Sequence, residues 1–415
     1  MTNRLDAAHT DAALHDHDHS FDLPATGLFD RRTLLKLSAA AAAATALGTS
    51  GFGEISPASA ATWSEKLGEL KIGYLPITDA APLLTAHANG TFAKNGITAA
   101  KPALFRSWAS LSEAFLSKQV DVVHLLMPLA VQLKFDAKQD IKVVAWNHTD
   151  GSALTVANNI DKVADLAGKT VAVPFWYSIH NVVLQQILRA EGLRVTLTGT
   201  PDSKTVKLVV LAPADMPTAL AAGQVAGYIV AEPFNALAEV KGIGKILRFT
   251  GDVWRDHACC VTVVRGELLR NNPQAAQAIV DSIAQAQTAI RKDRVAAAAT
   301  LSTGGYLPQP LPAITKALTS YKQADYPTAI QHPEWKLQRI GYHPYPFPSY
   351  TVELIKQLRR TTIDDNTSFL QDIDLKKVHK QLVAVGLAEK AIAKNGGYKA
   401  YSLPKNFKRT EVIKP

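Results

Sequence analysis

The chain has 415 residues, 47% of them apolar and 20% charged, with 45 basic side chains against 36 acidic ones. Residues 1–60 hold four of the basic and seven of the acidic groups, so the remainder carries about +12, a surplus that attracts anions. That remainder has no Lys/Arg block with interleaved aromatics, no CxxC or HExxH spacing and no apolar run near the ~18 residues of a membrane span, which argues against nucleic acid, a motif-encoded metal and a second span.

The first 29 residues scatter His9, His15, His17 and His19 among aspartates, and read as a disordered acidic leader. The run Asp30-Arg31-Arg32-Thr33-Leu34-Leu35-Lys36-Leu37, the alanine-rich stretch Ser38–Leu47 and the small residues Ala58-Ser59-Ala60 lay out a twin-arginine export signal. The mature protein is therefore expected to begin near Ala61, in the periplasm or another extracytoplasmic space. If the signal stays uncleaved, the same segment becomes a membrane anchor. Roughly 355 residues then remain, enough for two domains.

From Glu69 onward short β-branched runs alternate with amphipathic stretches, the pattern of an α/β protein with parallel strands and helices on the sheet faces. Strands are expected at Leu70–Leu75, Ile97–Leu104, Val120–Leu126 and Ile141–Trp146, with helices at Ala80–Ala88, Leu111–Ser117 and Leu129–Phe135 between them. A break falls around residues 150–160. A second cycle follows, with strands at Thr170–Val173, Val206–Leu211 and Ala226–Val230 and helices at Ser178–Glu191 and Met216–Ala222. After a strand at Cys260–Val264, Pro273–Arg291 carries Ala276, Ile279, Val280, Ile283, Ala286 and Ile290 on one helical stripe. Helices are also expected at Ser349–Arg360 and Asp374–Gly386, packed around the first domain.

Ligands of open parallel sheets bind beyond the carboxyl ends of strands, where helix N-termini present free N–H groups. The turns at those ends are chemically rich here. They hold Thr78 and Asp79, with Asp79 placed as a helix cap; Trp108, just before a Ser110/Glu113 capping box; Met127; Trp146-Asn147-His148; Trp176, Tyr177 and His180; and Glu232. His180 falls in the first turn of its helix, where the dipole favours a neutral imidazole. The two cysteines, Cys259 and Cys260, are neighbours. A disulfide between them needs a strained ring, and a chain exported folded acquires its structure in a reducing compartment, so two buried thiols are expected.

Ile72-Gly-Tyr-Leu-Pro-Ile-Thr-Asp-Ala-Ala-Pro-Leu83, Ser107-Trp108-Ala109, Ala231-Glu-Pro-Phe-Asn-Ala236 and Asp256-His-Ala-Cys-Cys-Val261 together resemble the periplasmic substrate-binding proteins of ABC importers, in the nitrate, bicarbonate, sulfonate and taurine group. The likeness runs from about Lys71 to Arg291. It implies a type II periplasmic-binding-protein fold: two lobes, each a sheet flanked by helices, joined by two crossing strands and closing on a ligand. Domain I would be residues 61–155 plus 262–415, and domain II residues 156–261. The resemblance further implies a monomer that delivers a small-molecule ligand to a membrane permease and its ATPase, with no cofactor and no enzymatic activity.

By the same resemblance, Trp108, His180 and Glu232 match ligand-contacting positions of nitrate-type binders. Beside His257 those binders read His-Pro-Glu-Lys, whereas this chain reads His257-Ala258-Cys259-Cys260. Losing that lysine removes a partner for a small inorganic anion and points to a partly organic ligand. The rival class is an enzyme on the same fold, similar to thiamine-precursor synthases, in which His257 and Cys259, two apart on a strand, form a thiol–imidazole pair.

Overall fold

The structure is a computed structural model and describes residues 68–319, 321–335 and 338–415, all within one compact unit, Thr49–Pro415. The acidic leader and the twin-arginine segment lie outside the described residues.

In chain order the strands are β1 (Ile72–Tyr74), β2 (Ala103–Leu104), β3 (Val122–Leu126), β4 (Ile141–Trp146), β5 (Thr149–Asp150), β6 (Ser152–Val156) and β7 (Thr170–Val173). They continue as β8 (Arg194–Thr196), β9 (Thr205–Val210), β10 (Gly227–Ala231), β11 (Lys245–Phe249), β12 (Cys260–Arg265) and β13 (Ile340–Gly341). One sheet runs β2-β1-β3-β12-β4 and the other β11-β6-β10-β7-β9-β8. Within the first, β1 pairs in parallel with β2 and β3; within the second, β10, β7, β9 and β8 are parallel. β3 and β10 are buried at every position, as expected of strands covered on both faces.

Each sheet also contains strands of opposite sense, which makes both sheets mixed. β12 runs antiparallel to β3 and β4, and β6 runs antiparallel to β10 and β11. The cause is the route of the chain. It leaves the first sheet at Trp146, crosses through residues 147–151 into β6, and returns from β11 through residues 250–259 into β12. The two crossings lie side by side: Asp150 N–H donates to the His257 carbonyl (2.9 Å) and Asn147 N–H to that of Cys260 (3.1 Å). β13 pairs antiparallel with β5 on the other edge.

The turn in the first crossing needs left-handed backbone at two successive residues, Asp150 (φ 56°) and Gly151 (φ 75°). A Cβ on Gly151 would stand 2.9 Å from the Ile340 side chain and 3.0 Å from His148 Nδ1, so glycine there lets β13 and His148 close on the crossing.

Several local expectations are corrected. The helix expected at Leu111 starts at Trp108, because Ser107, extended at φ −135° and ψ 154°, accepts the Ser110 N–H and caps it; Ser110 lies inside the helix. Asp79 is no cap: it sits in the short 3-10 turn Thr78–Ala80, and the helix Ala81–Ala88 has no side-chain cap. Of the strand expected at Ile97–Leu104 only β2 forms, beside an isolated bridge at Ala99. β6 occupies the expected break, and Asp374–Gly386 is divided between helices Val378–Leu382 and Val385–Lys394. The stripe on the helix Pro273–Lys292 is buried as expected.

The C-terminal part also grips the second sheet. Helix Leu311–Leu318 packs on helix Phe234–Val240, and Gln185 and Asn181 donate to the Thr362 carbonyl. Arg339, 2% exposed, reaches both Glu232 (2.6 Å) and Glu239 (2.5 Å).

Candidate functional site

The buried polar residues of the chain concentrate where the two crossings meet the end of β1. Asp79 follows β1, His148 lies in the first crossing, and Cys259 and Cys260 end the second; all four side chains are fully buried. Asp79 Oδ2 is 2.8 Å from His148 Nε2. The Cys260 N–H approaches the same ring nitrogen at 3.3 Å. Cys259 and Cys260 are free thiols with Sγ atoms 3.9 Å apart. Neighbouring residues on a regular strand point to opposite faces, but Cys259 precedes β12, and its irregular backbone brings both sulfurs to one side.

The second sheet contributes His180 and Ser152. Ser178 caps the helix Ile179–Ala190 by accepting the Asn181 N–H, which sets His180 in the first turn. His180 Nε2 lies 2.9 Å from Ser152 Oγ and 3.8 Å from Cys259 Sγ. The imidazole facing Cys259 is therefore His180, not His257. His257 turns to Thr250 Oγ1 at 2.8 Å because its segment is still crossing between the sheets and has not entered β12.

Burial sets the protonation of this centre. Desolvation raises Asp79 to about 6 even though the His148 charge pulls it down. It lowers His148, but the Asp79 carboxylate more than offsets this and carries that imidazole up to about 10, so at neutral pH the pair is ionic. Burial raises the Cys259 thiol, yet the Cys260 thiol and the His180 and His148 imidazoles outweigh it and hold Cys259 well below the usual thiol range. Cys260 is held well above it, by burial and by the charge on Cys259. Desolvation lowers His257 to about 4 and His124 to about 3. His124 accepts the Leu75 N–H at Nε2 (2.8 Å), which places its proton on Nδ1. No Lys or Arg makes an ion pair or hydrogen bond with Asp79, His148, His180, Cys259 or Cys260 among the described residues.

Of the residues expected from the sequence, Asp79, Met127, His180 and His257 gather here, Met127 through its N–H to the Cys259 carbonyl (2.9 Å). Trp108 joins them at one remove, its ring 5.4 Å from that of His124. Thr78 links the lobes, its N–H and Oγ1 both donating to the Glu232 carbonyl. The Glu232 carboxylate is committed elsewhere, to Arg339 and the Ala236 N–H. Trp176 and Tyr177 face the C-terminal segment: the Tyr177 hydroxyl donates to the Asn366 carbonyl, and Asn181 bridges the carbonyls of Trp176 and Thr362. Sequence reasoning missed His124, Ser152, Thr250 and, as ligand-facing groups, His148 and the cysteine pair. His148 stood in a post-strand turn, which was a usable signal; Ser152 opens β6, and Thr250 opens the 3-10 turn after β11, two strands it had not found.

Residues 64–302 match the NMT1-like family. The chain belongs to the NMT1-like family. It is 29% identical over 238 residues to the nitrate/nitrite binding protein NrtA of Nostoc, a match covering 52% of each chain. It is 31% identical over 214 residues to the taurine-binding periplasmic protein of Escherichia coli, covering 51% of this chain and 63% of that one. The matches thus span about half to two-thirds of these relatives' length. Its fold is that of the periplasmic nitrate-binding protein NrtA from Synechocystis, with a TM-score of 0.69 and 20% identity over 83% of this chain and 93% of that one. No helix among the described residues is long and apolar enough to cross a membrane.

Proposed function

We propose that this protein is the solute-binding component of an ABC importer, exported by the twin-arginine route, and that it acts by capture without chemistry. Its lobes would be the two sheets with their helices, divided near residues 155 and 261, and its partners a membrane permease and ATPase.

One observation carries the reading. The buried polar atoms at the crossing are under-partnered: Asp79 Oδ1, Trp108 Nε1, His124 Nδ1, His148 Nδ1 and His180 Nδ1 have no hydrogen-bond partner among the described residues. A buried group left so costs about 1–3 kcal/mol, a penalty that a bound ligand relieves. The groups come from both sheets and from a crossing, the place where a hinge closes on its ligand. The names of the relatives make nitrate, taurine and sulfonates the first solutes to test.

The test is thermal unfolding of the protein with each solute in turn. A ligand at a hundred times its Kd adds about 2.7 kcal/mol. His180→Ala and Trp108→Ala are expected to abolish the stabilisation while the unliganded fold persists. Turnover of a solute without stabilisation would overturn the reading in favour of an enzyme.

A further inference from the structure

We propose that Asp79, His148, Cys259 and Cys260 form a tetrahedral metal site that takes a divalent ion of the zinc type. The proposal rests on the reading of the crossing as the ligand site and names what that site holds.

The donor atoms are already assembled. One from each residue, two sulfurs, a nitrogen and a carboxylate oxygen, all lie within 4.8 Å of one another. Thiolates on a tetrahedral zinc, each about 2.3 Å from the ion, stand about 3.8 Å apart; the two Sγ atoms are 3.9 Å apart. Asp79 Oδ2 and His148 Nε2, now at hydrogen-bond distance, would part by about 0.5 Å to span the same ion. As it binds, the Cys260 thiol proton and one proton of the Asp79–His148 pair leave to water, and no redox partner is needed.

The charge balance favours a cation. A fully buried carboxylate and two thiols stand together with histidines for company, and no lysine or arginine pairs with them among the described residues. Sulfur with imidazole selects zinc-like ions over magnesium or calcium, which prefer oxygen. Asp79 Oδ1 has no hydrogen-bond partner, so the carboxylate retains acceptor capacity within the cluster.

The position gives the ion a mechanical consequence. Asp79 lies in the turn after β1, His148 in the outgoing crossing and the cysteines where the returning one enters β12, so a single ion would tie both crossings to the first sheet. His180 approaches Cys259 from the second sheet, placing a hydrogen bond on a ligating sulfur under the control of lobe closure.

The test uses the full chain, purified without chelator and analysed for bound metal, then stripped under reducing conditions and titrated with Co(II). The expected results are about one zinc per chain as isolated and, on titration, a thiolate-to-cobalt charge-transfer band with tetrahedral visible bands. Cys259 and Cys260 are the only cysteines in the chain, so this band reports on the crossing and not on the His-rich leader. C259S and C260S are expected to abolish it, H148Q and D79N to weaken Co(II) binding at least ~10-fold, and H379Q, distant from the site, to leave it intact.

If the cysteine variants fail to fold, the wild-type thiols give a second readout: bound zinc should slow their alkylation. Co(II) binding without the charge-transfer band, or alkylation equally fast with and without zinc, overturns the metal site. The solute-binding reading fails separately, by the absence of any solute-induced stabilisation in both the stripped and the zinc-loaded protein.

Discussion

Arg339 offers the sharpest test of how the C-terminal part holds the second lobe. Its side chain is 1% exposed and donates to Glu232 Oε1 at 2.6 Å, to Glu239 Oε2 at 2.5 Å and to the Tyr326 hydroxyl at 3.0 Å, with the guanidinium 5.5 Å from the Phe249 ring centroid. In Arg339→Met, Glu239 keeps Lys316 and Tyr326 as partners, but Glu232, itself 1% exposed, loses its cation. Burial already raises the Glu232 carboxyl, and Arg339 is the main group opposing that rise. Stranding one member of a buried pair costs about 3–5 kcal/mol, and the lost cation–π contact adds about 0.5–2. Urea unfolding should therefore show a loss of about 4 kcal/mol, most of it recovered in Arg339→Met/Glu232→Gln, where no charge is stranded. A loss under about 1 kcal/mol for the single variant, or a double variant no better than the single, would refute the claim that this pair locks the lobe.

Three further outcomes are expected. Ser107→Ala should cost about 1 kcal/mol through loss of the cap that sets Trp108 at its helix start, measured by urea unfolding. Gly151→Ala should cost more than Gly192→Ala: both sites have positive φ and so share a left-handed strain of about 1–2 kcal/mol, but a Cβ meets Ile340 at the first and open space at the second. Equal costs would show that the crossing can relax. The third concerns acid. His124 has its folded pKa depressed from 6.5 to about 3, first by burial and then by the His148 charge. Its contribution is thus present above pH 6.5 and lost as the pH falls toward 3, because the unfolded chain takes up the proton first; the whole effect is about 5 kcal/mol. His124→Gln should flatten the acid limb of stability measured by urea titration at a series of pH values, and an unchanged limb would refute the assignment.

The alternation of β-branched runs with helical stripes made the α/β class legible, because side-chain periodicity is a local property. The post-strand turns were legible for a similar reason: Asp79, His180 and His257 sit in short segments with polar residues after or before apolar strands, and Met127 follows directly on β3. What misled was also local. Ser110 and Glu113 have capping-box spacing, yet Ser107 caps that helix because its extended backbone places its hydroxyl on the Ser110 N–H. Glu232 and Tyr177 looked ligand-facing until the C-terminal segment, more than a hundred residues away in sequence, supplied Arg339 and Asn366 as their partners.

The sequence by itself therefore determined the strand-helix alternation, the family and the polar character of one sheet edge. Which of those polar groups meet was decided by tertiary structure. Asp79, His148 and the Cys259–Cys260 pair are separated by 69 and 111 residues or more, and no spacing rule connects them. They converge because the chain crosses between two sheets and returns, laying residues 147–151 against 257–260 and both against the end of β1. Long-range backbone pairing of that kind depends on the whole fold being formed, so the pairing of carboxylate, imidazole and thiols appears only with the assembled crossing.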